Sequence, residues 1–341
     1  MSRATKMNSI TSPELLAQVN PKNTSLLNDF VDYMRSVQRS EKTISGYVGD
    51  IQIFFVWNLQ FNDNKFYVDV TKRNIVSYQN WLLNTNKNSP ARVRRLKASL
   101  SSMGNFIEGV LDDEFPDFRN IINKVESPTN QPVREKTIWE PEELETLLEK
   151  LLAAGEYQKA CALALGIYSG RRKAELGRFK VSDFAEENLV CNGALYKSAP
   201  LQTKGRGGGK YLNCYTLAKG FTPYLTRWLE YREQNGIESE WLFPTPGKMD
   251  SHIEESMLNS WAKTFTRMTG KDFYWHSLRH YFTTLLSKQG LPDNIIQEIV
   301  GWESADMVRV YKDISAEEQM AQFFDEDGNI KAGTSKSLAD L

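Results

Sequence analysis

Apolar side chains recur at helical spacing along most of this chain, and this periodicity limits its fold more than any other feature. One apolar face runs from Leu26 to Met34, and a second runs from Ile44 to Phe55. The pattern predicts a mainly α-helical protein. The further predicted helices cover residues 72–85, 90–110, 141–153, 157–169, 221–235, 255–269, 276–289, 292–300 and 303–311.

Residues 187–217 interrupt the helical pattern. Short apolar and aromatic stretches are separated there by Gly205 and by the run Gly207–Gly209. This arrangement is typical of a small antiparallel sheet with a flexible turn. The expected fold class is therefore mainly α with a small antiparallel β-sheet, an α+β protein.

The length of 341 residues suggests roughly two domains. Residues 125–138 contain two prolines and few apolar groups, so they are expected to form a linker. The predicted segments are a flexible arm over 1–23, a helical domain over 24–124, a second domain over 139–315 and a tail over 316–341. A short tail helix near Met320–Phe324 would pack either on its own domain or on a neighbouring subunit.

Charge is balanced overall but uneven along the chain. The 42 Lys and Arg residues against 43 Asp and Glu give a net charge of −1, and this average argues weakly against a nucleic acid as partner. Residues 86–101, however, hold five cations and no acid, whereas acids collect in 313–327. A basic working face is therefore compatible with the neutral sum. The five cations are Lys87, Arg92, Arg94, Arg95 and Lys97.

Several protein classes are disfavoured by the sequence. None of the three cysteines lies in a CxxC motif, so zinc and redox sites are weakly supported and a reducing compartment is expected. No apolar run reaches 18 residues, and the N-terminus lacks the apolar core of a secretory signal. We therefore expect no membrane span and a cytoplasmic location.

Two basic segments are candidates for phosphate binding. Arg171 and Arg172 follow a Ser-Gly break, where they are either a solvated surface or a fork for phosphate oxygens. Residues 203–210 form a glycine-rich basic turn, which either is merely flexible or places Lys204 over a phosphate. A P-loop is excluded because Tyr211 follows Lys210 in the place of Ser or Thr.

Two segments near the C-terminus carry further chemistry. His276 and Arg279 are three residues apart, so both project from one helix face, and such a pair can share one phosphate. His280 is expected to pack within the same helix. Trp302 and Tyr311 are nine positions apart, and either residue by itself would be interpreted as part of the hydrophobic core.

The order and spacing of these segments resemble the tyrosine recombinase (phage integrase) family. Gly170-x-Arg172-x-x-Glu175-Leu176 is similar to the first arginine box, and Lys204 lies where the family has a β-hairpin lysine. His276-x-Leu278-Arg279 is similar to the second box, and Gly301-Trp302 followed by Tyr311 to the last. Trp302 replaces the more common His, as in Cre-like members. Thr43–Tyr47 also resembles the core-binding domain of the family.

The resemblance implies cleavage and rejoining of DNA strands through a covalent 3′-phosphotyrosine intermediate, with no metal, cofactor or ATP. Tyr311 would be the nucleophile, and Lys204 would protonate the leaving 5′-oxygen. His276 would assist proton transfer at the attacking side. The implied catalytic set is Arg172, Lys204, His276, Arg279, Trp302 and Tyr311.

The remaining roles concern the phosphate and its surroundings. Arg172 and Arg279 would hold the non-bridging oxygens, and the indole N–H of Trp302 would donate one hydrogen bond. Glu175 and Asp183 would orient these groups, although a surface salt bridge accounts equally well for Glu175. His280 would support them from the same helix. The residues expected to bind DNA are Lys87, Arg92, Arg94, Arg95, Lys97, Arg171 and Arg206.

The implied partners are double-stranded DNA with a specific recombination site and three further copies of the chain, forming a homotetramer on two duplexes. Integration or excision of a mobile element is the leading role, and resolution of chromosome or plasmid dimers is the alternative. Two other functions stay open: DNA relaxation like that of type IB topoisomerases, and a catalytically silent DNA-binding regulator on the same fold.

Overall fold

The computed structural model describes residues 10–129, 137–203, 210–304 and 306–311. It divides into two compact units with a boundary next to residue 136. Among these described residues, no helix has the length and apolar character needed to cross a membrane. The expected arm before residue 10 and the tail after Tyr311 lie outside them.

The first unit is helical. Its core is formed by apolar residues from all of its long helices, including the fully buried Phe30, Phe54 and Ile107. Ser40 and Ser89 begin two of these helices by accepting hydrogen bonds from backbone N–H groups of the first turn. The helices are α1 (Pro13–Leu16), α2 (Pro21–Ser36), α3 (Glu41–Phe61), α4 (Lys72–Asn80, continued by a π-helical turn, Trp81–Thr85) and α5 (Pro90–Val110).

The prediction of a flexible arm is wrong for residues 10–23. Ser12 and Asn20 cap α1 and α2, each of which begins with a proline at its first position. The backbone N–H of Asn20 also donates to the side chain of Asn64 at 2.9 Å, and Val19 is buried. Local capping, together with this long-range contact, gives an ordered structure to a segment that lacks apolar periodicity.

The second unit combines helices with small antiparallel sheets, and the predicted fold class is confirmed. The strands pair in the order β1-β2-β5 and β3-β4, with a separate β6-β7 hairpin that the sequence pattern did not predict. The helices are α6 (Pro141–Ala153), α7 (Tyr157–Ser169), α8 (Lys173–Leu176), α9 (Ala218–Gln234), α10 (Glu255–Thr269), α11 (Trp275–Lys288), α12 (Asp293–Val300) and α13 (Asp306–Tyr311). The strands are β1 (Leu189–Val190), β2 (Leu195–Lys197), β3 (Leu201–Gln202), β4 (Tyr211–Leu212), β5 (Tyr215–Leu217), β6 (Pro244–Thr245) and β7 (Lys248–His252).

Helix α7 is the centre of the second unit. Residues 160–167 are buried on every side, and the helix packs against α6, α9 and α11. It ends at Gly170, whose φ of +57° is the left-handed conformation that glycine tolerates best. A Cβ at this position would lie only 2.5 Å from Cδ1 of Phe282. Both constraints require glycine where the chain turns toward Arg171 and Arg172.

We predict that Gly170→Ala destabilises the protein more than Gly155→Ala. Both residues have positive φ, +57° and +71°, but a Cβ at Gly155 meets nothing within 4 Å. The backbone strain costs about 1 kcal/mol in each variant, and overpacking against Phe282 costs Gly170→Ala about 2 kcal/mol more. Urea unfolding measures the difference. Equal free energies of unfolding would contradict the requirement for glycine at the end of α7.

Candidate functional site

Arg172 lies at the start of the short helix α8, directly after the turn that ends α7. Its Nη1 lies 3.1 Å from Oε1 of Glu175, and its backbone N–H donates to the other carboxylate oxygen at 3.1 Å. Glu175 is 2% exposed, whereas the side chain of Arg172 is 37% exposed. The buried carboxylate therefore fixes a guanidinium that stays accessible to a ligand.

Arg279, on α11, is fully buried and holds two neighbouring segments. Its Nη1 donates to the carbonyl of Gly170 at 2.9 Å, and its Nη2 donates to the carbonyl of Val300 at 3.1 Å. Its Nε has no hydrogen-bond partner among the described residues. Burial, followed by the charges of Arg172 and Arg171, lowers the pKa of Arg279 to about 9, so the group is charged at pH 7.

Tyr311 ends helix α13, and its hydroxyl lies 2.8 Å from Nε2 of His276 on α11. The phenol ring stacks on His280 with 4.5 Å between ring centroids, and it lies 4.8 Å from the ring of Trp302. The side chains of His276, His280 and Trp302 therefore surround the phenol, although they are distant from it in sequence. His280 contributes by packing, as expected for its place on the helix.

Trp302 lies beneath Arg279, with 4.8 Å between Cζ of the guanidinium and the centroid of the indole ring. The side chain is 8% exposed, and its Nε1 has no hydrogen-bond partner among the described residues. A buried N–H without a partner is costly, so such a donor needs an acceptor from a ligand or an ordered water. Trp302 Nε1 and Arg279 Nε are two such donors in one site.

The environment of His276 keeps its imidazole neutral. His276 keeps exposed surface, but its ring makes T-shaped contacts with the rings of His280 and Tyr311. This partial burial, followed by the charges of His280, Arg279 and Arg172, lowers the pKa of His276 to about 4. At pH 7 the ring can therefore accept the phenolic proton of Tyr311.

The basic turn predicted to carry Lys204 and Arg206 lies outside the described residues. The two strands that lead to it are joined at their ends, because the backbone N–H of Thr203 donates to the carbonyl of Lys210 at 2.6 Å. Asp183 is buried, and its carboxylate accepts the N–H of Ala199, two residues before β3, at 3.0 Å. Asp183 thus fixes the approach to β3, and its hydrogen bonds go to the backbone of Lys180 and Ala199 and not to Arg172 or Arg279.

The structure contradicts the expected DNA contact of Arg171. This side chain is 1% exposed, and its guanidinium donates to the carbonyls of Ser169 and Ile299 and to Sγ of Cys214. Although Arg171 and Arg172 are neighbours in sequence, the turn after Gly170 directs one side chain inward and the other toward solvent.

The first unit holds the other expected DNA-binding residues. We call Arg92, Arg94 and Arg95 on α5 the basic face. Arg94 and Arg95 are exposed and Arg92 is partly exposed, and the nearby Lys87 is also exposed.

Lys97, in contrast, is 3% exposed, so its expected DNA contact is contradicted. Its Nζ donates to the carbonyl of Val125 at 2.7 Å, and burial lowers its pKa.

Asp50 on α3 is a site residue that the sequence reasoning missed. Its buried carboxylate accepts from Nη1 of Arg92 at 2.7 Å, from Nε of Arg95 at 3.1 Å and from the hydroxyl of Ser99 at 2.8 Å. It therefore orients two arginines of the basic face. An acid within the apolar stretch between Ile44 and Trp57 was the available signal, because buried carboxylates require cationic or hydrogen-bonding partners.

Among the described residues, the second unit therefore offers a phenolic hydroxyl, a neutral imidazole, two guanidinium groups and two unpartnered N–H donors within one site. This set suits a tetrahedral anion such as a phosphodiester. Among the described residues, no cluster of three His, Cys, Asp or Glu side chains could hold a metal ion.

We predict that the neutral state of His276 appears in the pH dependence of stability. Because the pKa of His276 is about 4 in the folded chain and the ordinary histidine value is 6.5, the unfolded chain binds more protons between these pH values. The free energy of unfolding should therefore fall as the pH is lowered through this window. Urea unfolding should give a shallower pH slope for His276→Gln. An unchanged slope, or an NMR titration of His276 near pH 6.5, would contradict this environment.

Two family models match the chain. The model described as "Phage integrase family" matches residues 138–318, which is more than half of the chain. The model described as "Phage integrase, N-terminal SAM-like domain" matches residues 26–117. The family resemblance based on the sequence motifs is therefore confirmed.

Curated relatives agree with these matches. The chain is 28% identical over 269 residues to the SPbeta prophage-derived recombinase-like protein YomM of Bacillus subtilis (strain 168), covering 77% of this chain and 76% of that protein. It is 27% identical over 304 residues to a tyrosine recombinase of Pseudothermotoga lettingae, covering 86% of this chain and 95% of that protein.

Solved structures share the fold. A XerH site-specific recombinase bound to a palindromic difH substrate has a TM-score of 0.63 at 19% identity, covering 93% of this chain and 91% of that one. A lambda integrase dimer bound to a COC′ core site has a TM-score of 0.62 at 16% identity, covering 86% and 96%. With the family models, these findings favour the recombinase over the topoisomerase-like and silent alternatives. The chain belongs to the phage integrase family and is a tyrosine recombinase.

Proposed function

We propose that Tyr311 is the nucleophile with which this recombinase cleaves DNA. The observation that carries this assignment is the 2.8 Å contact between its hydroxyl and the neutral His276, next to Arg279 and Trp302. Attack of the phenolic oxygen on phosphorus forms a 3′-phosphotyrosine bond and releases the 5′-hydroxyl. Because the new bond conserves the energy of the phosphodiester, the 5′-hydroxyl of a second strand can reverse the step.

Arg172 and Arg279 hold the two non-bridging oxygens in this proposal. Arg279 presents its unpartnered Nε, and Trp302 presents its unpartnered Nε1 beside it. Donors that are already fixed stabilise the developing charge without reorganising, and removal of one typically costs on the order of 100-fold in rate. Glu175 holds Arg172 in position from the buried side.

Proton transfers complete the step. His276 takes the proton of Tyr311 as the bond to phosphorus forms. Lys204, which the family resemblance assigns as the acid, donates a proton to the leaving 5′-oxygen. The closed base of the hairpin at Thr203 and Lys210, which flanks the basic turn, is compatible with that role.

The proposed substrate is double-stranded DNA that carries a specific recombination site. The basic face contacts backbone phosphates, which makes the affinity depend on salt. A homotetramer on two duplexes is the proposed assembly, and a lambda integrase tetramer bound to a Holliday junction has the same fold. Because one relative is a prophage-derived recombinase-like protein, integration or excision of a mobile element is the proposed role. Resolution of chromosome or plasmid dimers is the alternative.

We predict that Tyr311→Phe binds DNA but forms no covalent adduct, because the phenyl ring keeps its packing and lacks the attacking oxygen. The substrate is a nicked duplex built on the site that the protein selects from a random library, and a denaturing gel detects the adduct. Tyr281→Phe, on the same helix as His276, is the matched control and keeps the adduct. Adduct formation by Tyr311→Phe would place the nucleophile elsewhere.

We also predict that replacing Arg94 and Arg95 together with alanine weakens DNA binding. Loss of two phosphate contacts should reduce the slope of log affinity against log salt by about 2. Fluorescence anisotropy at several salt concentrations measures both effects. Arg35→Ala is the control, because that exposed arginine is already balanced by Asp32 and Glu41. An unchanged slope in the double variant would remove the basic face from the DNA interface.

A further inference from the structure

Arg171 is a fully buried cation that, among the described residues, donates to neutral groups. Its Nε donates to the carbonyl of Ser169 at 3.3 Å, its Nη1 lies 3.3 Å from Sγ of Cys214, and its Nη2 donates to the carbonyl of Ile299. These partners lie at the end of α7, just before β5 and near the end of α12. Among the described residues, the nearby acid Glu175 pairs with Arg172 instead.

The contact with Ile299 lies where the chain turns toward the nucleophile. Helix α12 ends at Gly301, whose φ is +76°, and Trp302 follows directly. The last two carbonyls of the helix are held by different arginines, that of Ile299 by Arg171 and that of Val300 by Arg279. Guanidinium groups at a helix C-terminus satisfy its free carbonyls and are attracted to its negative dipole.

Space around the turn is also limited by Arg171. A Cβ on Gly301 would lie 3.2 Å from Nη1 of Arg171, which is tighter than an ordinary van der Waals contact. The guanidinium therefore packs directly under the residue that separates α12 from Trp302. A shift of Arg171 would therefore move Trp302. Because the rings of Trp302 and Tyr311 are in contact, the shift would also reach Tyr311.

We propose that Arg171 is a positioning residue for the cleavage step. It fixes the C-terminus of α12 against α7 and against the residue before β5, and it thereby sets the position of Trp302 and of the Tyr311 hydroxyl. At 1% exposure it cannot reach the DNA itself. This inference rests on the proposed role of Tyr311 and adds a requirement to it.

An alternative is that Arg171 contributes only to stability. Arg232 offers a matched control, because it is 6% exposed and its guanidinium donates to the carbonyls of Ser239, Trp241 and Leu242 in the same unit. It therefore makes the same kind of contact, but at a loop that holds none of the proposed catalytic residues. A purely structural arginine at 171 should behave as Arg232 does.

The test compares Arg171→Met, Arg171→Lys and Arg232→Met in the full chain. Three quantities are measured for each variant: the free energy of unfolding, the dissociation constant for the selected DNA site, and the single-turnover rate of adduct formation at saturating protein. We expect Arg171→Met to bind DNA within about twofold of the original protein and to form the adduct about 100-fold more slowly, since small misplacements of reacting groups cost this much. Arg171→Lys should recover part of the rate by donating to Ile299.

The inference is overturned if Arg171→Met cleaves at the original rate, or if both methionine variants lose rate in proportion to their loss of stability. If Arg171→Met does not fold, Arg171→Lys decides. Slower cleavage with unchanged affinity supports positioning, and an unchanged rate overturns it. Tyr311→Phe, measured in parallel, separates the two claims. An adduct in that variant rejects the proposed function. If Tyr311→Phe forms no adduct and Arg171→Met cleaves at the original rate, only the positioning role is rejected.

Discussion

The buried guanidinium of Arg279 makes the two contacts on which the proposed catalytic site depends. It joins the carbonyl of Gly170, after which Arg172 emerges, to the carbonyl of Val300, after which the chain continues to Trp302. A single charged group therefore connects the segments that carry Arg172 and Trp302, the other proposed phosphate-binding residues. The energetic cost of burying this charge, visible in its lowered pKa, is offset only when its donors are satisfied, and its Nε has no partner among the described residues. A phosphate oxygen at that position would complete the site and stabilise the same geometry.

Charge in this protein is organised locally, which explains why its overall balance is misleading. The net charge of −1 describes the chain as a whole, whereas the proposed catalytic site brings together Arg171, Arg172, Arg279 and one buried acid, Glu175, which pairs with Arg172. The basic face uses the same device, with the buried Asp50 orienting two arginines. Glu175 orients Arg172 and Asp50 orients Arg92 and Arg95, and an excess of positive charge remains in both places. Each arrangement suits a polyanionic ligand.

Much of the fold could be predicted from the sequence because apolar periodicity is a local property. Helices α6, α7 and α10 have the predicted bounds, and the sheet lies within the predicted residues 187–217. Burial of individual cations could not be predicted in this way. Nothing local distinguishes Arg171 from Arg172, since the turn after Gly170 and distant carbonyl groups decide which one points inward. Lys97 is likewise buried by contacts with residues 79, 125 and 126. The order of residues 13–20 depends on capping and on the contact between Asn20 and Asn64, which apolar periodicity does not reveal.

In the proposed site, Arg172, Arg279, His276, Trp302 and Tyr311 surround one DNA phosphate. The most direct test is an experimental structure of the Tyr311→Phe variant bound to its selected DNA site. We expect oxygens of the scissile phosphate to accept hydrogen bonds from Nε of Arg279 and from Nε1 of Trp302, with the phenyl ring introduced at position 311 facing the phosphorus. A scissile phosphate bound elsewhere, with both of these donors still unpartnered, would contradict it.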